Sequence, residues 1–348
     1  MEKMNVAVIG AGHAGRDYHL PGLCRFPDIE VSLCDIKERV LHATGELVGI
    51  PPERRHTDYR RMIKAIDPAA VFVLMAQYPH GAYSPEPYFN IVHEMLDQQR
   101  AVFVEKPLAM TLAAAQPLAD KARARGCITM VGMNRRFNPL VTFCMEAIHS
   151  EGPVRQALCQ FFKHCQPLAR GRLNPLTAEL IHAVDLLRFL AGGEVAACHA
   201  CASRSPGDAI DSAYTALVRF KNGTDGIFSA NLRAAERIEH WQLHGAGLSA
   251  IIERAPAAGL ESKSMQATLY RPGEKPAVYQ DDEIPTARPY LDRGDMTVTN
   301  GFAYADHYFI TCVQQNKQPH CHFGDACETL ALCEQIGAAA AAASTGSV

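Results

Sequence analysis

A short apolar run, Asn5–Ile9, leads directly into Gly10-Ala11-Gly12-His13-Ala14-Gly15, and a helical pattern over Ala14–Arg25 follows. Few segments of this length constrain a fold so tightly. Between a strand and a helix, Gly10 permits the tight turn, Gly12 lets backbone approach a pyrophosphate, and Gly15 lets helix and strand pack closely. The first amides of the helix then face the phosphates. Asp35 ends the next strand pattern, Glu30–Cys34, 20 residues after Gly15. A carboxylate there accepts hydrogen bonds from an adenine ribose and repels a 2′-phosphate. The expectation is a dinucleotide site holding NAD(H), with His13, Ala14 and Ile36 beside it. Arg39 in the following helix keeps NADP open as the less favoured choice.

The first 131 residues alternate strand and helix signals. Lys37–Leu47, Tyr88–Leu96 and Leu112–Arg125 read as helices, and Val71–Ala76, Ala101–Val104 and Ile128–Val131 as strands. Val71–Ala76 is continuously apolar, as a strand buried on both faces should be. Repeated βα units predict a parallel, doubly wound sheet in an α/β domain over residues 1–133. The pattern then changes. Pro139–His149 reads as a helix, Val154–His164 as a strand, and Leu176–Leu190 as one amphipathic helix capped by Gly192-Gly193. Strand patterns at Val195–Ser203, Ser212–Phe220, Ile227–Leu232, Arg237–His244, Ala250–Glu253 and Met265–Tyr270 follow with no helix between them, and Asn222-Gly223 marks a hairpin. They predict an antiparallel sheet in an α+β domain over 134–348. Residues 271–300 read as a loop. Two helices, Ala303–Gln315 and Asp325–Ala343, close the chain and are free to pack back on the first domain.

Composition narrows the function classes. Acids outnumber bases 37 to 34, a net charge of −3, which gives no electrostatic footprint for nucleic acid or an anionic membrane. The chain is 48% hydrophobic and 20% charged, ordinary for a packed protein. No apolar run approaches the ~20 residues that span a bilayer, and MEKMNVAVIGAGHAG enters a strand pattern with no signal peptide. The expected location is cytoplasmic. The twelve cysteines then read as reduced, mostly buried thiols. Cys198 and Cys201 form a C-x-x-C on a strand pattern, and His320, Cys321 and His322 cluster in a turn, but neither has the partner spacing of a metal site.

Several residues suit chemistry. Glu105-Lys106-Pro107 follows the fifth-strand pattern, and the carboxyl ends of parallel strands line the ligand crevice. A lysine there can hold a substrate hydroxyl and stabilise an alkoxide; a surface lysine satisfies the spacing equally. His182 shares a helix face with Ala178 and Asp185. It suits a general base oriented by Asp185, or a buried histidine merely satisfied by it. Arg135, Arg136 and Asn138 join the two domains. Lys163 and His164 end a strand. Trp241, the sole tryptophan, suits sheet packing or a subunit contact.

Five motifs occur in order across nearly the whole chain: VAVIGAGHAG with Asp35, FVEKPLAMT at 103–111, VGMNRRFNP at 131–139, ELIHAVDLLRFLAG at 179–192, and YADHYFITCV with DACETLALCEQI. The set resembles the glucose–fructose oxidoreductase / inositol dehydrogenase (Gfo/Idh/MocA) family. The resemblance implies a Rossmann domain, a second domain with an open-faced antiparallel sheet, hydride transfer at a sugar or cyclitol carbon, and a homodimer or homotetramer. It makes Lys106 the lysine of the EKP motif and His182 the catalytic histidine. It also places Ala76, Gln77, His80 and Glu105 near the cofactor. Arg135, Asn138 and Lys163 become candidate substrate contacts, although an interdomain role fits Arg135 and Asn138 as well. The inositol-dehydrogenase branch carries Asp-Thr-Leu-Ile-His on this helix. Here the stretch is Ala178-Glu179-Leu180-Ile181-His182, so the aspartate position is alanine, and Glu179 points about a quarter turn away. Gln77-Tyr78-Pro79-His80 replaces the family's Thr-Pro-Asn turn. A dehydrogenase is the favoured reading. The alternatives are a non-catalytic NAD-dependent sensor, or redox-neutral glycoside cleavage or epimerisation through a keto-sugar.

Overall fold

The computed structural model describes residues 3–75, 85–166, 168, 173–254, 265–281, 283–284 and 296–345. The chain divides into two compact units: the described residues of 1–134 and 287–327, and those of 135–286 and 328–348.

The first unit carries six strands: β1 (Met4–Ile9), β2 (Ile29–Cys34), β3 (Arg55–His56), β4 (Ala70–Val73), β5 (Ala101–Glu105) and β6 (Thr129–Gly132). Their order is β3-β2-β1-β4-β5-β6, and every pair is parallel. Strand order reverses direction between β1 and β4, so the crevice that binds ligand in doubly wound sheets opens at their carboxyl ends. The apolar runs explain the centre of the sheet. Val6, Val8, Val71, Phe72, Val102 and Phe103 are all fully buried, because helices cover both faces. These are α1 (Leu20–Leu23), α2 (Glu38–Val48), α3 (Tyr59–Ile66), α4 (Glu86–Asp97) and α5 (Leu112–Arg125). Asp58 accepts the amides of Arg60 and Arg61 to start α3, and Thr111 accepts that of Ala114 to start α5.

In the second unit come α6 (Pro139–Glu151), β7 (Gln156–His164), α7 (Pro175–Ala178), α8 (Ile181–Ala191), β8 (Val195–Ser203), β9 (Ala213–Phe220), β10 (Asp225–Asn231), β11 (Arg233–His244), β12 (Ser249–Arg254), β13 (Met265–Tyr270) and β14 (Ala277–Gln280). The eight strands run in the order β14-β13-β12-β11-β7-β10-β9-β8. Helix α8 packs on β7 and β10, and α6 packs on β11, β12 and β13. The described side chains of the other face are half-exposed or exposed. One cross-strand row on it runs Val278, Thr268, Ile251, Gln242, Leu158, Ile227, Leu217, His199. Trp241 points the other way and is 1% exposed, so it is a packing residue of the sheet. The first unit is completed by α9 (Met296–Thr299) and α10 (Phe302–Gln314), and α11 (Phe323–Thr345) ends the chain.

Four features depart from the sequence expectations. The sheet of the second unit is antiparallel except for β7 and β10, which pair in parallel. The α7–α8 segment separates β7 from the β8–β9–β10 meander, which returns its third strand beside β7 in the same direction. Residues 271–300, read as a loop, contain β14, paired with β13, and α9. The helix expected over Leu176–Leu190 is broken: the amides of Glu179 and Leu180 both reach Pro175 O, and α8 begins afresh at Ile181. Leu176, Leu180, Leu187 and Leu190 are all buried across the break, so the periodicity recorded burial rather than an unbroken backbone. Finally, the helix after the glycine turn opens with a wide turn over Gly15–His19, in which the amide of Leu20 reaches Gly15 O five residues back.

Candidate functional site

The glycine turn is shaped by atoms the sequence does not place side by side. Gly10 has φ +108°, and a Cβ there would lie 2.6 Å from Leu74 O at the end of β4. A Cβ on Gly15 would collide with Gly10 O, whereas one on Gly12 would meet nothing within 4 Å. Close packing at two positions and open space at the third are what a phosphate cradle needs. Asp35 accepts the Ala11 amide at Oδ2 and the Lys37 amide at Oδ1, each at 2.9 Å. Each oxygen retains a second acceptor position for a ribose hydroxyl. Ile36, 82% exposed, stands next to it, and Arg39 is exposed one turn on. His13 is exposed, with Nε2 2.9 Å from the Tyr18 hydroxyl and Nδ1 on Asp17. Ala14 precedes the wide turn. Gly10, Gly12, His13, Ala14, Gly15, Asp35, Ile36 and Arg39 thus share one end of the sheet and fit an NAD-type group. Ala76, Gln77 and His80 lie outside the described residues.

Two strands along the sheet from β1, Glu105 closes β5 and Lys106 begins the turn that follows. The Lys106–Pro107 peptide is cis. The Glu105 carboxylate faces two ways. Its Oε2 accepts the Lys106 amide at 3.1 Å, and its Oε1 meets His19 Nε2 at 2.8 Å. His19 is fully buried, and its Nδ1 lies 2.7 Å from Asp306 Oδ1 on α10. Burial works against the imidazolium, but Asp306 and Glu105 outweigh it and lift the His19 pKa to about 10. Burial raises Asp306 to about 6 against the pull of His19. Further along the turn, the buried Tyr88 hydroxyl donates to Leu108 O at 3.0 Å.

The second unit holds His182 on the first turn of α8, half-buried. Asp185, which sequence spacing offered as its partner, is engaged elsewhere. It receives a bidentate pair from Arg136 at 2.8 and 2.5 Å and a hydrogen bond from the Thr329 hydroxyl at 2.9 Å. Lys163 Nζ lies 2.6 Å from Glu179 Oε2 in the break before α8. Arg135 is buried with Glu239, which also takes Arg237. Burial opposes the Glu239 carboxylate, but the two guanidiniums prevail and hold its pKa at about 2. Asn138 caps α6 by accepting the Leu140 and Val141 amides, and its Nδ2 reaches Met265 Sδ.

A model described as an oxidoreductase family with an NAD-binding Rossmann fold matches residues 4–133, and the model of that family's C-terminal domain matches residues 174–250. The chain belongs to the Gfo/Idh/MocA family. Among curated relatives, myo-inositol 2-dehydrogenase of Thermotoga maritima is 26% identical over 257 residues, covering 68% of this chain and 72% of its own. Among solved structures, a dehydrogenase from Chromobacterium violaceum superimposes with a TM-score of 0.81 at 20% identity, covering 99% of this chain and 97% of that one. Levoglucosan dehydrogenase in complex with NADH and levoglucosan gives 0.75 at 18% identity, with 98% of each chain covered.

As a Gfo/Idh/MocA protein, the chain carries residues around its motifs that sequence reading missed: His19, Asp306, Tyr88, Glu239 and Thr329. His19 alone left a local trace, four residues beyond Gly15; the others depend on contacts far apart in sequence. Burial pushes Cys34 and Cys144 up to about 12 and raises Cys198. His322 Nδ1 accepts the Asp325 amide at 3.2 Å at the start of α11, a capping role. Among the described residues no helix is long and apolar enough to cross a membrane.

Proposed function

We propose that the protein is an NAD-dependent dehydrogenase that oxidises a CH–OH carbon of a sugar, glycoside or cyclitol. The observation that carries this reading is Lys106, set at the carboxyl end of β5 in the unit that holds the glycine turn, with Glu105 locked beneath it. The Lys106 ammonium holds the reacting hydroxyl and stabilises the alkoxide. His182 takes the hydroxyl proton as general base. Lys163 and Glu179, paired next to the α8 start, complete the polar surroundings of that helix. Arg135 and Asn138 are already engaged within the second unit, so the chemistry is assigned to Lys106 and His182. Bound nicotinamide supplies the hydride acceptor. The Asp35 carboxylate, held by two loop amides, favours NAD over NADP by repelling a 2′-phosphate. The exposed sheet face, with Leu217, Ile238 and Val278 51%, 47% and 53% exposed, supports self-association as a dimer or tetramer, which light scattering would read.

The test is nicotinamide absorbance after mixing the protein with NAD and a panel of inositols, free sugars and glycosides. A reduced-nicotinamide signal confined to one class supports the reading; no signal with cofactor demonstrably bound overturns it. His182→Ala should lower turnover by about 10²–10⁴-fold with NAD still bound, and retained turnover would remove His182 from its role. Asp35→Ala should weaken NAD far more than NADP; equal losses would count against the stated preference.

A further inference from the structure

We propose that His19 and Asp306 are positioning residues that fix Lys106 by clamping the Glu105 carboxylate. The proposal rests on the reading above that Lys106 touches the reacting hydroxyl.

The chain of contacts is continuous within the first unit. Asp306 on α10 bonds His19 beside the glycine turn at 2.7 Å, His19 bonds Glu105 at 2.8 Å, and Glu105 accepts the Lys106 amide at 3.1 Å. A single carboxylate therefore receives the histidine on one oxygen and the peptide of Lys106 on the other. With both carboxylates ionised, both ring nitrogens of His19 must donate, which makes it an imidazolium. Phe103 and Phe302 pack edge-on against the ring at 5.2 and 5.6 Å. Gly132 leaves space for the carboxylate: a Cβ there would lie 2.8 Å from Glu105 Oε1.

The arrangement is a poor choice for stability alone. It places two carboxylates against one cation, with His19 and Asp306 fully buried and Glu105 13% exposed, and Asp306 Oδ2 is buried without a hydrogen-bond partner among the described residues. Well-packed apolar side chains of similar volume commonly match or exceed the stability of such a buried ionic group. What the ionic set supplies, and apolar side chains would not, is a directional hold on the residue preceding Lys106. A displacement of about 1 Å at a reacting group is enough to cost about 100-fold in rate.

The experiment uses the full chain with NAD bound and the variants Asp306→Ala, Asp306→Asn and His19→Gln. Lysines are trace-acetylated with acetic anhydride over a pH series, and mass spectrometry reads the labelling of Lys106 against Lys64, an exposed reference on α3. The expected result is an altered pH profile of Lys106 labelling, by about fivefold or more at a fixed pH, with Asp306→Asn intermediate. Where the wild type turns over a substrate, kcat should fall about 10- to 100-fold while KM moves less than about threefold. Folded variants with wild-type Lys106 labelling and unchanged kcat overturn the proposal. If the wild type oxidises nothing, the dehydrogenase reading fails, and the labelling ratio still decides this inference. If the Asp306 and His19 variants do not fold, Glu105→Gln, which keeps shape and removes charge, decides it by the same labelling ratio: a shifted profile supports it and an unshifted one overturns it.

Discussion

Each unit buries an ionic cluster beside a residue assigned to the chemistry, His19 with Asp306 and Glu105 in the first and Arg136 with Asp185 in the second, and these two are built differently. In the first unit the His19 imidazole stands between Asp306 and Glu105, two carboxylates against one cation. In the second, Arg136 meets Asp185 in a bidentate pair, with exposures of 2% and 1%, and Thr329 hydroxyl fills out the carboxylate. The balanced pair has the geometry that repays desolvation. It ties α8 to the segment before α6, one turn beyond His182. The unbalanced cluster instead ends on the peptide of Lys106. A balanced pair is what a scaffold needs; an unbalanced one is explained by what it holds.

The comparison breaks most decisively at the balanced pair. Asp185→Ala leaves the Arg136 guanidinium buried without its carboxylate and removes the acceptor of the Thr329 hydroxyl, which keeps its bond from Arg188. The expected loss is about 3–5 kcal/mol, read as a lower urea midpoint. Turnover per folded molecule should fall less than in His182→Ala, because Asp185 bonds Arg136 and Thr329. A loss below about 1 kcal/mol would show that the pair does not hold α8.

The units should also weaken at opposite ends of the pH scale. In the first, the raised His19 pKa means that its stabilisation is full below the ordinary histidine value near 6.5 and is lost as pH rises through about 10. Asp306, raised by burial to about 6, acts in the same direction from its ordinary value upward. In the second unit, Glu239 is held at about 2, so its stabilisation is full above the ordinary value of 4.5 and is lost as pH falls through about 2. Trp241 is the sole tryptophan and lies buried in β11 of the second unit. Its emission should shift red on acidification, whereas on alkalinisation ellipticity should fall before the emission moves. The reverse order would contradict the assignment of the alkaline limb to His19 and of the acid limb to Glu239. Glu239→Gln should flatten the acid limb.

What could be read from the sequence was local. The glycine turn, Asp35, the apolar strands and the cap at Gly192 each declare themselves within a few residues, whereas Asn138, read as a candidate substrate contact, proves to cap α6. Asp306 and His19 are 287 positions apart, and no periodicity connects them. Asp185 was offered to His182 because both lie on one helical face, but the choice of partner fell to Arg136 and Thr329, which only tertiary packing brings near. Strand β3 is two polar residues that pair with Leu33 and Cys34, too short to carry an alternating pattern. Ala178 illustrates the same limit. Its spacing to His182 presumed one helix, and the chain breaks between them.

The smallest expected effect sharpens the account of the lysine turn. Tyr88 donates its buried hydroxyl to Leu108 O, so the turn after Lys106 has an uncharged tether as well as the ionic one at Glu105. Tyr88→Phe removes one neutral hydrogen bond and leaves the ring in place, for a loss of about 1 kcal/mol by urea unfolding. If the ionic clamp is what sets Lys106, this variant should keep its acetylation profile and kcat within about twofold of wild type. If it instead matches Asp306→Ala in both, any tether along the turn would serve, and the directional role would pass from the His19 charge to the packing of the turn as a whole.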